Sequence, residues 1–457
     1  MYCYTQPEFA GRIGVAREEI TPPVGIYARN WGAAMHDVAE GVHRPLTLTA
    51  LSLQSEDDPE GLLLMAADLG WWRTIEDEQM LRQGVLDALN LSPERLLIAL
   101  SHTHAGPAIC REDSDKPGGS LIAPYLDRLL QAAVHAAEAA RCSAQAAFLS
   151  WNYGRCALAK HRDLPDPQDQ RVLCGFHPGV PADDTLLVGR VANPAGRTLA
   201  TLVNYACHPV TLAWENRLIS PDYIGAMREI VEANTSDAPC LFLQGASGEL
   251  APREQYTNDT SIADSNGRQL GYAVLAALEG MLPPATGLNY ACAIESGASL
   301  AVWRRSSVAV SHHLKAMRFE VEIPLKEMPS LQSLEAEIQL CSDRVMRERL
   351  VRKRRIRLAL GEGNTARMPC WAWRIGDALL IAQPNEAYSH LQTTLRHRFA
   401  QRPVAVLNVA NGPYCGYLPP EGIYDQDLYQ VWQSPFAAGC LEITAEACSQ
   451  ALKTLTE

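Results

Sequence analysis

The segment Leu96 to Ile109 reads LLIALSHTHAGPAI: five apolar residues, then Ser-His-Thr-His, then Ala-Gly-Pro. An unbroken apolar run of this length, closed by a Gly-Pro turn, predicts a strand buried on both faces. Two imidazoles, His102 and His104, follow at its tip. Buried sheets carry their sites at strand ends, because the rigid sheet fixes the side chains while loops supply shape. On a continuing strand, residues i and i+2 share a face, so both imidazoles of His-x-His would point the same way. One histidine as a ligand and the other as a hydrogen-bonding group is the expectation carried here.

Outward from this strand the pattern alternates. LTLTALSLQ (46–54) and GLLLMAADLG (61–70) read as strands on its N-terminal side, and TIEDEQMLRQGVLDALN (74–90) reads as a helix with acids in its first turn. PYLDRLLQAAVHAAEAARC (124–142) is a strong amphipathic helix. LLVGRVAN (186–193) and TLATLVNYACHPV (198–210) are further strands, followed by a helix at 225–234 and the strand PCLFLQGASG (239–248). WAWRIGDALLIAQP (371–384) and VAVLNVANGPY (404–414) return to strand. This order predicts an α/β fold of layered mixed sheets flanked by helices, its site at strand ends. Between 328 and 363 lies a charged helical segment. Its basic run, Arg352 to Arg357, reads as a solvated helix face rather than a nucleic-acid patch.

Composition narrows the function. The 457 residues are 47% hydrophobic and 20% charged, with a net charge of -12. Such a chain is globular. An acidic balance excludes a sequence-independent binder of nucleic acid or anionic membrane. No apolar stretch reaches the roughly 20 residues of a membrane helix, so no stable membrane insertion is expected. The N-terminus lacks the pattern of a signal peptide. Thirteen scattered cysteines, many in apolar surroundings such as Cys156, Cys207 and Cys292, read as reduced core thiols of a cytoplasmic protein.

Four strand ends carry metal-capable side chains beside Pro or Gly: His102 and His104, His208 in NYACHPV, Glu386 in AQPNEAY, and Tyr414 and Tyr417 in NGPYCGYLPP. Histidine nitrogen and carboxylate oxygen are the usual ligands of a catalytic zinc with an open position. The four places are far apart in the chain, so spacing by itself leaves core histidines as the competing reading. Asp68 and Asp222 are candidates to orient the imidazoles, or plain capping acids.

Eight blocks in order resemble the catalytic domain of the neutral (non-lysosomal) ceramidase family and its shorter bacterial relatives. They are RIGVAREEITPPVGI (12–26), GVHRPLTLTALSL (41–53), ALSHTHAGP (99–107), LVNYACHPVTL (202–212), ISPDYIGAMREIVE (219–232), LFLQGASGELAP (241–252), PNEAYS (384–389) and GYLPPEGIYDQDLYQ (416–430). The resemblance implies a single catalytic domain over residues 1–457, with 328–363 as a helical insertion. It implies one Zn2+ held by His102, His208, Glu386 and Tyr417. His104 would hydrogen-bond the substrate or intermediate, Tyr429 would stabilise the oxyanion, and Arg162 would match the family's active-site arginine, with His161 replacing a preceding Asn. Trp214 would line an acyl pocket or simply pack.

Departures from the family pattern bear on the substrate. The family's Gly-Asp-Val-Ser-Pro block is Gly248-Glu249-Leu250-Ala251-Pro252 here, so alanine and glutamate replace a serine and an aspartate, and Ser247 lies four residues early. The chain ends 40 residues after Tyr417, which leaves no room for the family's immunoglobulin-like domain. The expectation is a zinc-dependent hydrolase that cleaves an N-acyl amide other than ceramide by attack of metal-bound water. A small-molecule acyl amide would be its partner. The alternatives are a biosynthetic acyl-transfer or ring-closing enzyme on the same site, and an inactive lipid-binding relative.

Overall fold

The computed structural model describes residues 2–169 and 171–457. Eight strands form its largest sheet: β1 (Glu8–Glu19), β2 (Thr47–Gln54), β3 (Leu62–Ala67), β4 (Leu96–Leu100), β5 (Gln145–Arg155), β6 (Thr185–Ala192), β7 (Thr198–Tyr205) and β8 (Cys240–Gln244). Their order is β8-β7-β6-β5-β1-β2-β3-β4. The two outer pairs, β7 with β8 and β3 with β4, are parallel. The inner pairings are antiparallel. A second sheet orders β9 (Leu314–Pro324), β10 (Thr365–Ile375), β11 (Ala378–Ala382) and β12 (Val404–Leu407), with β11 and β12 parallel.

The unbroken apolar runs are explained by burial on both faces. Leu63, Met65, Ile98 and Leu100 pack under α1 (Ile75–Leu89) and α2 (Ile122–Cys142). Their alternates Leu62, Leu64, Leu97 and Ala99 face Trp371, Trp373, Leu380 and Leu407 of the second sheet. Further along, α3 (Tyr223–Ala233) and α4 (Thr260–Glu279) cover the β6-β7-β8 end through Met227, Leu270 and Val274. The outer face of the second sheet lies under α7 (His390–Arg398) and α9 (Cys440–Thr456). The result is four layers: helices, large sheet, small sheet, helices. Each fully buried Leu or Ile in them contributes about 1.5–3 kcal/mol.

The chain after β12 brings the two edges of the large sheet together. Leu100 donates its N–H to the Val409 carbonyl at 3.1 Å, and Asn408 donates to Gln244 at 3.0 Å. The Asn411 side chain accepts from Ile98 N at 2.8 Å and donates to Leu96 O at 2.8 Å. Edge strands leave backbone groups unpaired; residues 408–411 satisfy those of β4 and β8 at once. Arg228 on α3 adds a two-bond pair to Asp68 beyond β3, both bonds 2.9 Å.

Two expectations are corrected. The charged segment forms two helices, α5 (Leu331–Leu340) and α6 (Arg344–Leu360), and Asp343 caps the second by accepting from Met346 N at 2.7 Å. The run Arg352 to Arg357 is not a solvated face, because α6 lies across acidic and aromatic loops of the body. Arg355 binds Asp113 at 2.8 Å and Glu112 at 3.0 Å, and Arg29 of the body binds Glu348 at 2.9 Å. Arg357 turns to the carbonyls of Glu362 and Gly363. Cys156 and Cys207 are buried, whereas Cys292 is exposed. It lies in the hairpin Thr286–Glu295 and Ser299–Ser307, whose outer half has no layer over it. Among the described residues all thirteen cysteines are free, and no helix is long and apolar enough to cross a membrane.

Candidate metal centre

The strand β4 ends at Leu100, and His102 takes a left-handed φ of 66°. That backbone turn ends the strand ahead of the two histidines, whose rings lie 4.9 Å apart. Left-handed geometry is costly for a residue with a Cβ and persists where surrounding contacts enforce it; here Leu69 O accepts from His102 N at 2.9 Å. His208, three residues beyond β7, joins the pair. One ring nitrogen from each of His102, His104 and His208 lies within 4.8 Å of the others. His104 therefore stands among the possible ligands, beyond the hydrogen-bonding role expected of it.

The hydrogen bonds of the rings define their tautomers. His208 Nδ1 faces the carbonyls of Ser247 at 2.7 Å and Leu250 at 3.2 Å, and His102 Nδ1 faces Gly70 O at 3.3 Å. Carbonyls only accept, so both Nδ1 atoms carry the proton and both Nε2 atoms keep a lone pair. Those lone pairs face one carboxylate: His208 Nε2 is 2.5 Å from Glu386 Oε2, and His102 Nε2 is 3.3 Å from Glu386 Oε1. Burial, then the Arg162 charge, pushes His208 down to about 4, against the opposing pull of Glu386. Burial, then the charges of His102 and His208, holds His104 well below the imidazole range. Imidazole lone pairs turned toward one carboxylate are the donor set of a cation site. The unpartnered buried atoms His102 Nε2, His104 Nδ1 and His104 Nε2 fit the same conclusion.

Sheet register brings in the remaining expected residues. Glu386 and Tyr417 are directly opposite in a short parallel pair, Glu386–Ala387 with Tyr417–Leu418. The Tyr417 ring stacks on His208 at 6.4 Å, and its hydroxyl accepts from Arg162 at 3.2 Å. Arg162, only 3% exposed, also donates to Gly248 O at 2.7 Å. Gly248 is needed there, since a Cβ would lie 2.5 Å from the Tyr388 ring and 3.1 Å from Glu386 O. Tyr429 opens the five-residue helix α8 (Tyr429–Gln433), its ring 5.8 Å from that of Tyr417. Burial, then the Glu386 charge, raises Tyr414 and Tyr417 well above the phenol range. Trp31 and Trp71 flank His104 at 5.1 and 4.9 Å, and Trp31, Trp214 and Tyr256 contact one another ring to ring.

Asp68 and Asp222 do not touch the imidazoles. Asp68 is held by Arg228 and by Thr47. Asp222 caps α3, accepting from Tyr223 N at 2.7 Å and from Leu212 N at 2.9 Å. The orienting partners are main-chain carbonyls, which no side-chain pattern could reveal. Ala251, fully buried, pairs with Lys160 in a short strand. Glu249 accepts from Ser389 N at 3.0 Å, and burial raises it to about 7.

Sequence reasoning missed Arg352. Its guanidinium donates to Tyr414 Oη at 3.2 Å and lies over the same ring at 5.6 Å. The signal was helical spacing: Arg352, Arg355 and Ile356 share one face of α6, and Ile356 is buried.

No family model matches the chain. The fold is that of neutral ceramidase. A ceramidase solved in complex with C2 aligns with a TM-score of 0.67 at 15% identity, covering 98% of this chain and 76% of that one. The neutral ceramidase of Pseudomonas aeruginosa aligns with the same score and identity, covering 98% of this chain and 75% of that one.

Proposed function

We propose that the protein is a zinc-dependent amidohydrolase that cleaves an N-acyl amide other than ceramide. The observation that carries this reading is the pair of Nδ1-anchored imidazoles, His102 and His208, whose free Nε2 atoms face the single carboxylate of Glu386. The ligands in this reading are His102, His208, Glu386 and Tyr417. A zinc bound there would polarise the scissile carbonyl and bring a water's pKa towards neutrality.

The chain's own residues do the remaining work. Arg162, fixed by the Gly248 carbonyl, donates to Tyr417 Oη and so favours its ionised form as a ligand. Tyr429 donates its O–H to the oxyanion that develops in the transition state; one such aimed donor contributes about 3–4 kcal/mol. His104, kept neutral by burial, retains one N–H and one lone pair and hydrogen-bonds the substrate. Trp31, Trp214 and Tyr256 form the apolar wall for the acyl group. Ala251 offers no hydroxyl for an acyl-enzyme, so water is the nucleophile. In this reading residues 1–457 act as one catalytic domain with 328–363 inserted, and the thirteen free thiols support a place in the reducing cytoplasm.

Elemental analysis and a panel of short and long N-acyl amides test the proposal. Wild type should bind zinc stoichiometrically and release free acid and amine. His102→Ala and His208→Ala should lose both metal and turnover. Zinc retained in either variant would sink the ligand assignment. A condensed or cyclised product from pathway amines would point to acyl transfer, and lipid binding without metal to an inactive relative.

A further inference from the structure

Three guanidinium groups of α6 are paired with carboxylates. Arg344 pairs with Asp37 and Glu348, Arg354 with Glu112 and Glu335, and Arg355 with Glu112 and Asp113. Arg352 shares the body-facing side with Arg355, yet it meets only phenol: the Tyr414 hydroxyl and ring. At Tyr417, Arg162 is equally without an acid, held by Gly248 O and Tyr417 Oη. Among the described residues, no carboxylate lies within ion-pair distance of either guanidinium. Both stay charged at any physiological pH. Tyr417 packs ring to ring with Tyr429, and Glu386, the nearby acid, is already shared by two imidazoles.

A half-buried guanidinium with hydroxyl partners alone is under-compensated, and its fork of donors suits an oxyanion. We propose that the substrate of this site carries an oxyanion on the same molecule as the scissile amide, and that Arg352 binds it. The inference rests on the amidohydrolase reading and sharpens its substrate class: an anionic N-acyl amine, in which a carboxylate or a phosphate ester replaces the neutral polar head of a ceramide. The helical segment 328–363 then has a function, since it supplies from outside the layered core the cation that selects the substrate.

The test uses the zinc-loaded, full-length protein and three substrates with a common acyl chain: N-acylglycine, N-acylglycinamide and N-acyl-O-phosphoethanolamine. The first and third distinguish a carboxylate from a phosphate, and the second is the neutral control. Wild type should favour at least one anionic substrate over the amide by about 10- to 100-fold in kcat/KM, the range expected for a hydrogen bond to a charged group. Arg352→Met should erase that ratio, mainly through KM, and Arg352→Lys should restore part of it. Equal use of the three by wild type, or an equal loss on all three in Arg352→Met, would overturn the proposal. If no amide is turned over, the amidohydrolase reading fails on its own. Calorimetric binding of the same compounds to wild type and Arg352→Met still decides the role of Arg352.

Discussion

The imidazole side of the site and its phenol-guanidinium side are built by different means. His102 and His208 hang from strand ends of the large sheet, and main-chain carbonyls of Gly70, Ser247 and Leu250 orient them. Their geometry is therefore tied to the backbone, and burial keeps the imidazoles of His104 and His208 neutral. Across the site, Arg352 and Tyr414 come from a helix and a loop, and they hold one another through side-chain contacts. Backbone-held groups tolerate little change, whereas side chains that hold side chains are free to vary with the substrate. The contrast separates a fixed metal side from an adjustable substrate side.

The strongest way to break the comparison is to loosen the frame behind the imidazoles. Arg228→Met should leave the buried Asp68 charge without its counter-ion and cost about 3–5 kcal/mol of stability, read by denaturant unfolding. A loss below about 1 kcal/mol would show that the edges of the large sheet need no such tie. His104 comes next, because it lies between the two sides. As a ligand, its replacement in His104→Ala should weaken zinc by more than about 100-fold, beyond what loss of an orienting partner costs. As a substrate group only, it should leave zinc affinity intact and lower kcat by about 100- to 1000-fold. A zinc titration monitored alongside turnover separates the two.

Glu249 gives a smaller, pH-dependent effect. It titrates near 7 in the fold against 4.5 for an ordinary glutamate. The folded chain thus keeps a proton that the unfolded chain has lost, and stability from this group falls as pH rises from about 4.5 to 7. The span corresponds to about 3 kcal/mol. Glu249→Gln should flatten the decline of Tm between about pH 5 and pH 7.5; an unchanged slope would assign that decline to other groups. The smallest effect is expected on the substrate side. Trp214→Ala removes one ring from the Trp31–Tyr256 wall and should raise KM for longer acyl chains by about fivefold, near 1 kcal/mol.

What the sequence by itself determined was local. Apolar runs such as Leu96–Leu100 announced strands buried on both faces, because a side chain on either face must meet an apolar layer. His102, His208, Glu386 and Tyr417 were legible as polar residues that end such strands. The fate of His104 was not legible, since the φ of His102 depends on how residues 69–70 receive it. Nor was the carbonyl support of the imidazoles, which has no side-chain signature. Arg352 was hidden for a third reason: a basic helix looks solvated until an acidic loop and a group of phenols are brought against it. Tertiary structure alone decided these points, because residues 408–411 join strand edges that are 144 positions apart in the chain at Leu96 and Cys240. Hydrogen bonding of exposed edges, rather than any local preference, closes the sheet and gathers four distant strand ends into one site.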